Sequence, residues 1–277
     1  MNGLSVKPVA KYAGFYAVLI VMTVIVLVPF VLVLLNSVKD LAESSVVSLT
    51  WPKKFIWSNY SKVFSAADIW GSLQNGILES VVSVAAVVLF SSMASFAIIR
   101  RDTGGYKFLF NLFVIGLIAP FAIVPAMKVL QFWHISGTYI GIIAVFVSTN
   151  IPFSVFLYAG FIKGIPRELD ESAVLDGARP LTLFFRVVFP LLQPVIATST
   201  VLVFMNCWND FTFNLYFMPN AGMWNMPLTI FSFMSMYSTS WNLVCADIIL
   251  TILPILIVYL LAQKYIIAGM TSGAVKG

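Results

Sequence analysis

Histidine occurs once in this chain, at His134, and cysteine twice, at Cys207 and Cys245. One histidine with no thiol or acid cluster beside it cannot build a metal centre of the metalloprotease kind. It cannot complete a credible Ser-His-Asp set either. Two cysteines make neither a zinc pattern nor a disulfide framework. Both lie near the ends of hydrophobic runs, where buried free thiols are expected rather than a pair across an outer loop. Glycine is never followed by lysine, so the chain has no Gly-x-x-x-x-Gly-Lys loop to cradle a nucleotide phosphate. No catalytic residue, metal ligand or cofactor site is therefore expected, and the chain is not expected to be an enzyme.

Charge is equally scarce. Charged residues make up 10% of the sequence, where a soluble domain carries about 25%. Hydrophobic residues make up 60%. At 277 residues the length suits one membrane domain rather than an anchor bearing a globular head. The net charge of +5 needs no nucleic acid to explain it, because the bases fall where membrane topology wants them.

A bilayer core of ~30 Å needs about 20 apolar residues of helix. Tyr12 to Val38 carries no charge, Gly71 to Ile99 carries only Glu79, and Phe108 to Met127 and Ile135 to Ile162 carry none. Val187 to Asn209 is uncharged too, and a last run covers Ile248 to Gln263. These runs predict an all-α membrane protein with six transmembrane helices, over residues 12–36, 72–99, 107–130, 139–162, 187–208 and 243–265. The first run exceeds the about 7–15 residues of a signal peptide's apolar region and no small-residue cleavage site comes after it, so it is read as a span.

Lysine and arginine set the orientation. With the N-terminus inside, the inner segments hold Lys7, Lys11, Arg100, Arg101, Lys107, Lys163, Arg167, Arg179, Arg186, Lys264 and Lys276, and the outer ones hold Lys39, Lys53, Lys54, Lys62 and Lys128. The bias places both termini in the cytoplasm, in a multi-pass protein of the cell membrane. The outer stretch Trp208 to Asn242 has Asp210 as its only charged residue and is too aromatic to hang free in water. It is expected to dip back into the membrane surface or to fold against other subunits. Glu79 and Asp247 fall near the outer ends of their helices and are expected as interfacial or capping carboxylates, Asp247 in the first turn of the sixth helix.

One inner loop, residues 163–186, stands apart. It crowds Glu168, Asp170, Glu171 and Asp176 together with Lys163, Arg167, Arg179 and Arg186 between two membrane-length runs. Pro166 suits a first helical turn, the early carboxylates suit the helix dipole, and Gly177 suits a left-handed end. Pro180 then opens a second short helix. An isolated helix of about ten residues is marginal in water, so a docking partner is expected. Ser172 and Ala173 are small enough to let another backbone approach.

Glu171-Ser172-Ala173, then Asp176-Gly177-Ala178, then Phe189-Pro190 resemble the Glu-Ala-Ala loop of ABC importer permeases, with Ser172 and Phe189 as mild departures from the family pattern. Asn59-Tyr60 with Phe64, the run Trp208-Asn209-Asp210-Phe211, and the ending Gly273-Ala274-Val275-Lys276-Gly277 are similar to the carbohydrate-uptake branch, in particular to permeases like the G component of the maltose system. The resemblance covers nearly the whole chain and implies the type I ABC importer permease fold. It further implies a second homologous permease, two cytoplasmic ATPase subunits that bind ATP and Mg, an extracytoplasmic sugar-binding protein, and surrounding membrane lipid. Glu171, Ser172, Ala173, Asp176 and Gly177 would dock the ATPase, as would Gly273, Ala274 and Lys276 of the tail 268–277.

Asn206, Trp208, Asn209, Asp210 and Asn214 are the candidates for the sugar pathway, because sugars stack on aromatic rings and bond to amides and carboxylates. The same cluster could instead pack against the second permease or the binding protein. The resemblance implies an oligosaccharide such as an α-galactoside or maltodextrin, with glycerol phosphate or a polyol as alternatives. A secondary transporter or channel working without an ATPase is the rival class. It calls for inverted repeats and intramembrane charge pairs, and neither is visible in the sequence.

Overall fold

A computed structural model describes residues 7–101, 103–234 and 239–274, with the side chains of 7–11, 13, 262 and 264–274 left aside. In chain order the helices are α1 (Lys7–Ser37), α2 (Leu41–Ser44), α3 (Ser58–Ala66), α4 (Ile69–Arg100) and α5 (Gly104–Ile118). Next come α6 (Ile123–Phe132), α7 (Tyr139–Ile162), α8 (Glu168–Leu175) and α9 (Pro180–Leu183). A π-helical turn, Phe184–Val188, leads to α10 (Phe189–Leu191), α11 (Gln193–Trp208), α12 (Thr212–Phe217) and α13 (Trp241–Ala274). Four stretches are long and apolar enough to cross a membrane: Gly14–Ser37, Ile69–Arg100, Tyr139–Ile162 and Trp241–Leu261. The pair Pro180–Leu191 and Gln193–Trp208 adds a fifth if its 78° bend is counted within one span.

The chain divides into two compact units. One takes in the residues up to Ala67 together with Thr229–Ile252. Its interior mixes apolar residues such as Val38, Val63 and Val244 with buried polar ones. Lys39 is buried, and its Nζ donates to Ser48 O at 2.8 Å and to the side-chain oxygens of Asn36, Ser48 and Thr50 at 3.1–3.2 Å. Four oxygens thus replace the water that a buried ammonium loses. Asn59 donates to the carbonyls of Ser37 and Lys39 at 2.9 and 2.8 Å and accepts from Asn242 Nδ2 at 3.2 Å. The Asn59-Tyr60 pair read from the sequence is therefore a structural knot, with Tyr60 OH 2.8 Å from Ser37 Oγ. Asp247 is buried here as well, and both its carboxylate oxygens lie within bonding distance of Thr229 Oγ1, at 2.8 and 3.0 Å. Because α13 starts at Trp241, Asp247 lies past the first turn and is not the expected helix-end carboxylate.

The other unit holds Asp68–Leu228 and the chain from Leu253 onward. Its centre is α4, which packs on α7, α11 and α5. Serines make that possible: Ser80, Ser83, Ser91, Ser92 and Ser95 are fully buried along α4. Small side chains let membrane helices approach closely and bond across the gap. Ser95 Oγ donates to Val155 O of α7 at 3.1 Å. Gly116 of α5 serves the same end, since a Cβ there would come 3.1 Å from Pro152 Cγ of α7.

The stretch 107–130, expected as one helix, is two. α5 ends at Ile118 and α6 begins at Ile123, with Pro120 in the gap. Proline lacks the N–H that would continue the ladder and pushes the preceding residue out of the helical region. Likewise 187–208 is no single helix: the chain turns sharply at Leu192, between Pro190 and Pro194, before α11 starts.

Candidate functional sites

The polar loop folds into the short helix α8, none of whose residues is buried. Glu168, Asp170 and Glu171 occupy its first turn, beside the positive end of the helix dipole. Pro166 lies ahead of the cap residue Arg167, so it precedes the helix rather than opening it. At the far end Gly177 has φ +82°. Gly177 N donates to Val174 O at 3.0 Å and Ala178 N to Ala173 O at 2.9 Å, the two bonds of a Schellman turn. A Cβ on Gly177 would meet nothing within 4 Å, so conformation and not crowding calls for glycine.

The segment beyond the turn is anchored. Leu183, Phe184, Val188 and Leu192 are buried, and Phe184 packs on Phe96 with ring centroids 5.6 Å apart. A π-helical turn in this position inserts an extra residue into the helix, a feature common at functional sites. The loop thus joins an exposed helix to a rooted one through the turn at Gly177.

Arg100, the last residue of α4, holds the exposed part in place. It is ion-paired with Asp170, with Nη2 to Oδ1 at 3.4 Å, and Nη1 donates to Ile165 O at 3.2 Å. Both side chains are largely buried, at 11% and 15% exposure. Arg100→Ala should therefore release α8 at a cost of about 1–3 kcal/mol. Limited proteolysis of the purified chain should cut faster within 166–178 in this variant, and an unchanged cleavage rate would show that the pair does not hold the loop.

At the far end of α11, Asn206, Asn209 and Asp210 line an open recess of about 510 Å³ with Leu202, Met205, Phe211 and Thr212. Asn206 Oδ1 accepts from Asn150 Nδ2 of α7 at 3.2 Å. Asp210 Oδ1 accepts from Asn214 N at 2.9 Å. Burial pushes the Asp210 carboxyl above its ordinary value, against the N–H donors that stabilise the charge. Trp208 and Asn214 do not join this recess. Trp208 is buried and stacks on Phe204 at 5.9 Å, with Gly76 of α4 close enough that a Cβ there would sit 3.3 Å from the indole. Asn214 is buried in a bond to Glu79. Asn214 is tied to the recess through its backbone N–H, which donates to Asp210 Oδ1.

The architecture invites comparison with known proteins. The sequence pattern of the binding-protein-dependent transport system inner membrane component matches residues 105–272. The chain belongs to this family. It is 32% identical over 259 residues to the probable starch degradation products transport system permease protein AmyC of Thermoanaerobacterium thermosulfurigenes, covering 93% of this chain and 94% of that one. It is 32% identical over 255 residues to the melibiose/raffinose/stachyose import permease protein MelC of Bacillus subtilis, covering 90% and 91%. In fold it is similar to a chain in the crystal structure of a bacterial ABC transporter involved in the import of the acidic polysaccharide alginate. The TM-score is 0.78 at 20% identity, covering 95% of this chain and 99% of that one. The family is one of inner membrane transport permeases, not of enzymes.

Of the remaining predicted site residues, Glu171, Ser172, Ala173 and Asp176 lie on or beside α8, and only Ala173 is partly covered. Gly273 and Ala274 continue the backbone of α13, while Lys276 lies outside the described residues. Cys207 and Cys245 are free, buried thiols. Sequence reasoning passed over Arg100, which reads only as an inner base. Glu79, expected as an interfacial or capping carboxylate, is fully buried in the protein, its Oε2 accepting from Asn214 Nδ2 at 3.1 Å. Asn225 Nδ2 extends the chain of bonds to Asp210 O at 2.7 Å. Asn75, bonded to Tyr139 OH, donates to the carbonyls of Gly222 and Trp224. These bonds stitch the aromatic stretch after α11 to α4 as far as Trp224, while Phe211, Leu215 and Tyr216 stay exposed. The available signal was a lone carboxylate inside an otherwise uncharged span, with asparagines in the stretch that covers it.

Proposed function

We propose that this chain forms half of the translocation pathway of an ATP-driven, binding-protein-dependent importer of oligosaccharides. The observation that carries the reading is α8: a helix with no buried residue, leaving Leu169, Val174 and Leu175 at 41%, 57% and 88% exposure. Apolar side chains in an aqueous loop call for a covering partner. In this reading the partner is an ATPase subunit that binds ATP and Mg, and two such subunits serve this permease and a second, homologous one. Glu171, Ser172, Ala173 and Asp176 meet the ATPase, Gly177 supplies the hinge, and Gly273, Ala274 and Lys276 reach it from the C-terminal end.

The topology has six spans with both termini cytoplasmic, α5 and α6 together forming the third and the bent α9–α11 segment the fifth. Residues 163–186 are then the cytoplasmic coupling loop. On the opposite face the recess at Asn206, Asn209 and Asp210 receives sugar from the extracytoplasmic binding protein. Amides, a carboxylate and the exposed ring of Phe211 are the groups a sugar needs. Relatives named for starch products and for melibiose, raffinose and stachyose support a neutral oligosaccharide as cargo. Alternating access requires only that nucleotide and sugar favour different states of the assembly.

The test is purification from native membranes in mild detergent, tagged at the N-terminus to spare the tail. Mass spectrometry should find a second permease and an ATPase with a Gly-x-x-x-x-Gly-Lys loop. A chain recovered alone, under conditions that keep other complexes intact, would instead point to a secondary transporter or channel.

A further inference from the structure

A cavity of about 830 Å³ opens where α4 ends, α5 begins and α7 runs into the polar loop. Among the described residues its lining includes Arg100, Arg101, Lys107, Lys163 and Arg167, with Glu168 as the one carboxylate. Arg100 is taken by Asp170. Two of the others rest against neutral groups. Arg101 Nη1 donates to Tyr106 OH at 2.8 Å, and its guanidinium lies 5.6 Å from the centre of that ring. Lys163 Nζ sits over the Phe110 ring, 5.5 Å from its centre. Arg101, Lys163 and Arg167 thus share one cavity without a bonded carboxylate among the described residues, and their mutual repulsion falls when an anion joins them.

We propose that this cavity binds the phosphate headgroup of an anionic phospholipid, whose acyl chains lie along α5. The charge argues for phosphate, which guanidinium and ammonium groups grip from several sides. The location argues for lipid. Helix α5, whose Lys107, Phe110 and Asn111 line the cavity, has no buried residue, and its Phe108, Leu112 and Ile115 are 67%, 51% and 62% exposed, so the helix that bounds the cavity also carries an unpacked apolar surface. Basic pockets between membrane helices at the cytoplasmic surface are a recurrent form of anionic headgroup site. The volume also suits a headgroup with its glycerol rather than a bare ion. The bound lipid would brace the end of α4 that carries Arg100, and so the root of α8. This inference does not depend on what the protein transports.

Native mass spectrometry of the full chain in non-ionic detergent tests it, with phosphatidylglycerol, phosphatidylcholine and glycerol 1-phosphate added separately. Phosphatidylglycerol should be retained preferentially. The double variant Lys163→Gln, Arg167→Gln should weaken that retention roughly fivefold per cation, about thirtyfold in all, and leave phosphatidylcholine unaffected. The charge-preserving variant Lys163→Arg, Arg167→Lys should retain the lipid, which separates lost charge from lost folding. Equal retention of the two lipids, undiminished retention in the glutamine variant, or loss in the charge-preserving one would each overturn the proposal. Glycerol 1-phosphate bound as tightly as the lipid would overturn it in favour of a free anion.

Discussion

Proline at position 177 is expected to abolish sugar-stimulated ATP hydrolysis while the chain still reaches the membrane. Gly177 sits at φ +82°, whereas a proline ring holds φ near about −65°. Proline also removes the N–H that Gly177 donates to Val174 O. The Schellman turn cannot form, and α8 would leave the rooted segment Pro180–Leu192 in a new direction. Gly177→Ala separates conformation from crowding. Its Cβ has open space, so the variant suffers only the left-handed strain of about 1–2 kcal/mol and should keep much of its coupling. Glu171→Ala should reduce coupling without disturbing the loop, because Glu171 is exposed on the first turn of α8. ATP hydrolysis by the reconstituted assembly, with and without binding protein and sugar, reads all three. Full stimulation in the proline variant would remove α8 from the coupling path.

The second large effect concerns Glu79. Glu79→Leu leaves Asn214 Nδ2 buried without its acceptor, and an orphaned buried donor costs about 1–3 kcal/mol. The damage should spread along the bonds from Asn214 to Asp210 and Asn225, loosening α12 and the Asp210 side of the recess. Glu79→Gln keeps an oxygen for Asn214 to donate to and should recover most of the loss. Cys207 is a built-in reporter, being a buried thiol on α11 within the same unit. Heating the detergent-solubilised protein with a thiol-reactive dye should label Glu79→Leu at a lower temperature than the parent, with Glu79→Gln between them. Coincident curves for parent and Leu variant would show that the carboxylate does not stabilise this region.

Much of the architecture is legible in one dimension because a bilayer imposes a one-dimensional rule. A span must be long, apolar and free of charge, so the uncharged runs around Tyr12–Val38 and Ile135–Ile162 announce their helices. The capping logic of the polar loop is local as well. Acids early, glycine at the end and proline after it specify a short helix and its exit within one short segment, and Gly177 takes the left-handed angle that only the absence of a side chain makes cheap.

Other features depend on which helix lies next to which. Nothing near Arg100 in sequence reveals that its partner is Asp170, 70 residues on. Trp208 and Asn209 are neighbours in the chain, yet one is buried against α4 and the other lines the recess, because successive residues on a helix end point about 100° apart. Glu79 and Asp247 looked like carboxylates at a water boundary, and packing places each inside, one with Asn214 and the other with Thr229. Residue order alone settles the membrane class, the exposed polar helix and its glycine turn, since solvation by lipid and local backbone conformation are properties of short segments. Which polar side chains face a recess and which are sealed in pairs emerges only when the helices assemble, since a buried polar group is tolerable only where a partner from a distant segment arrives to satisfy it.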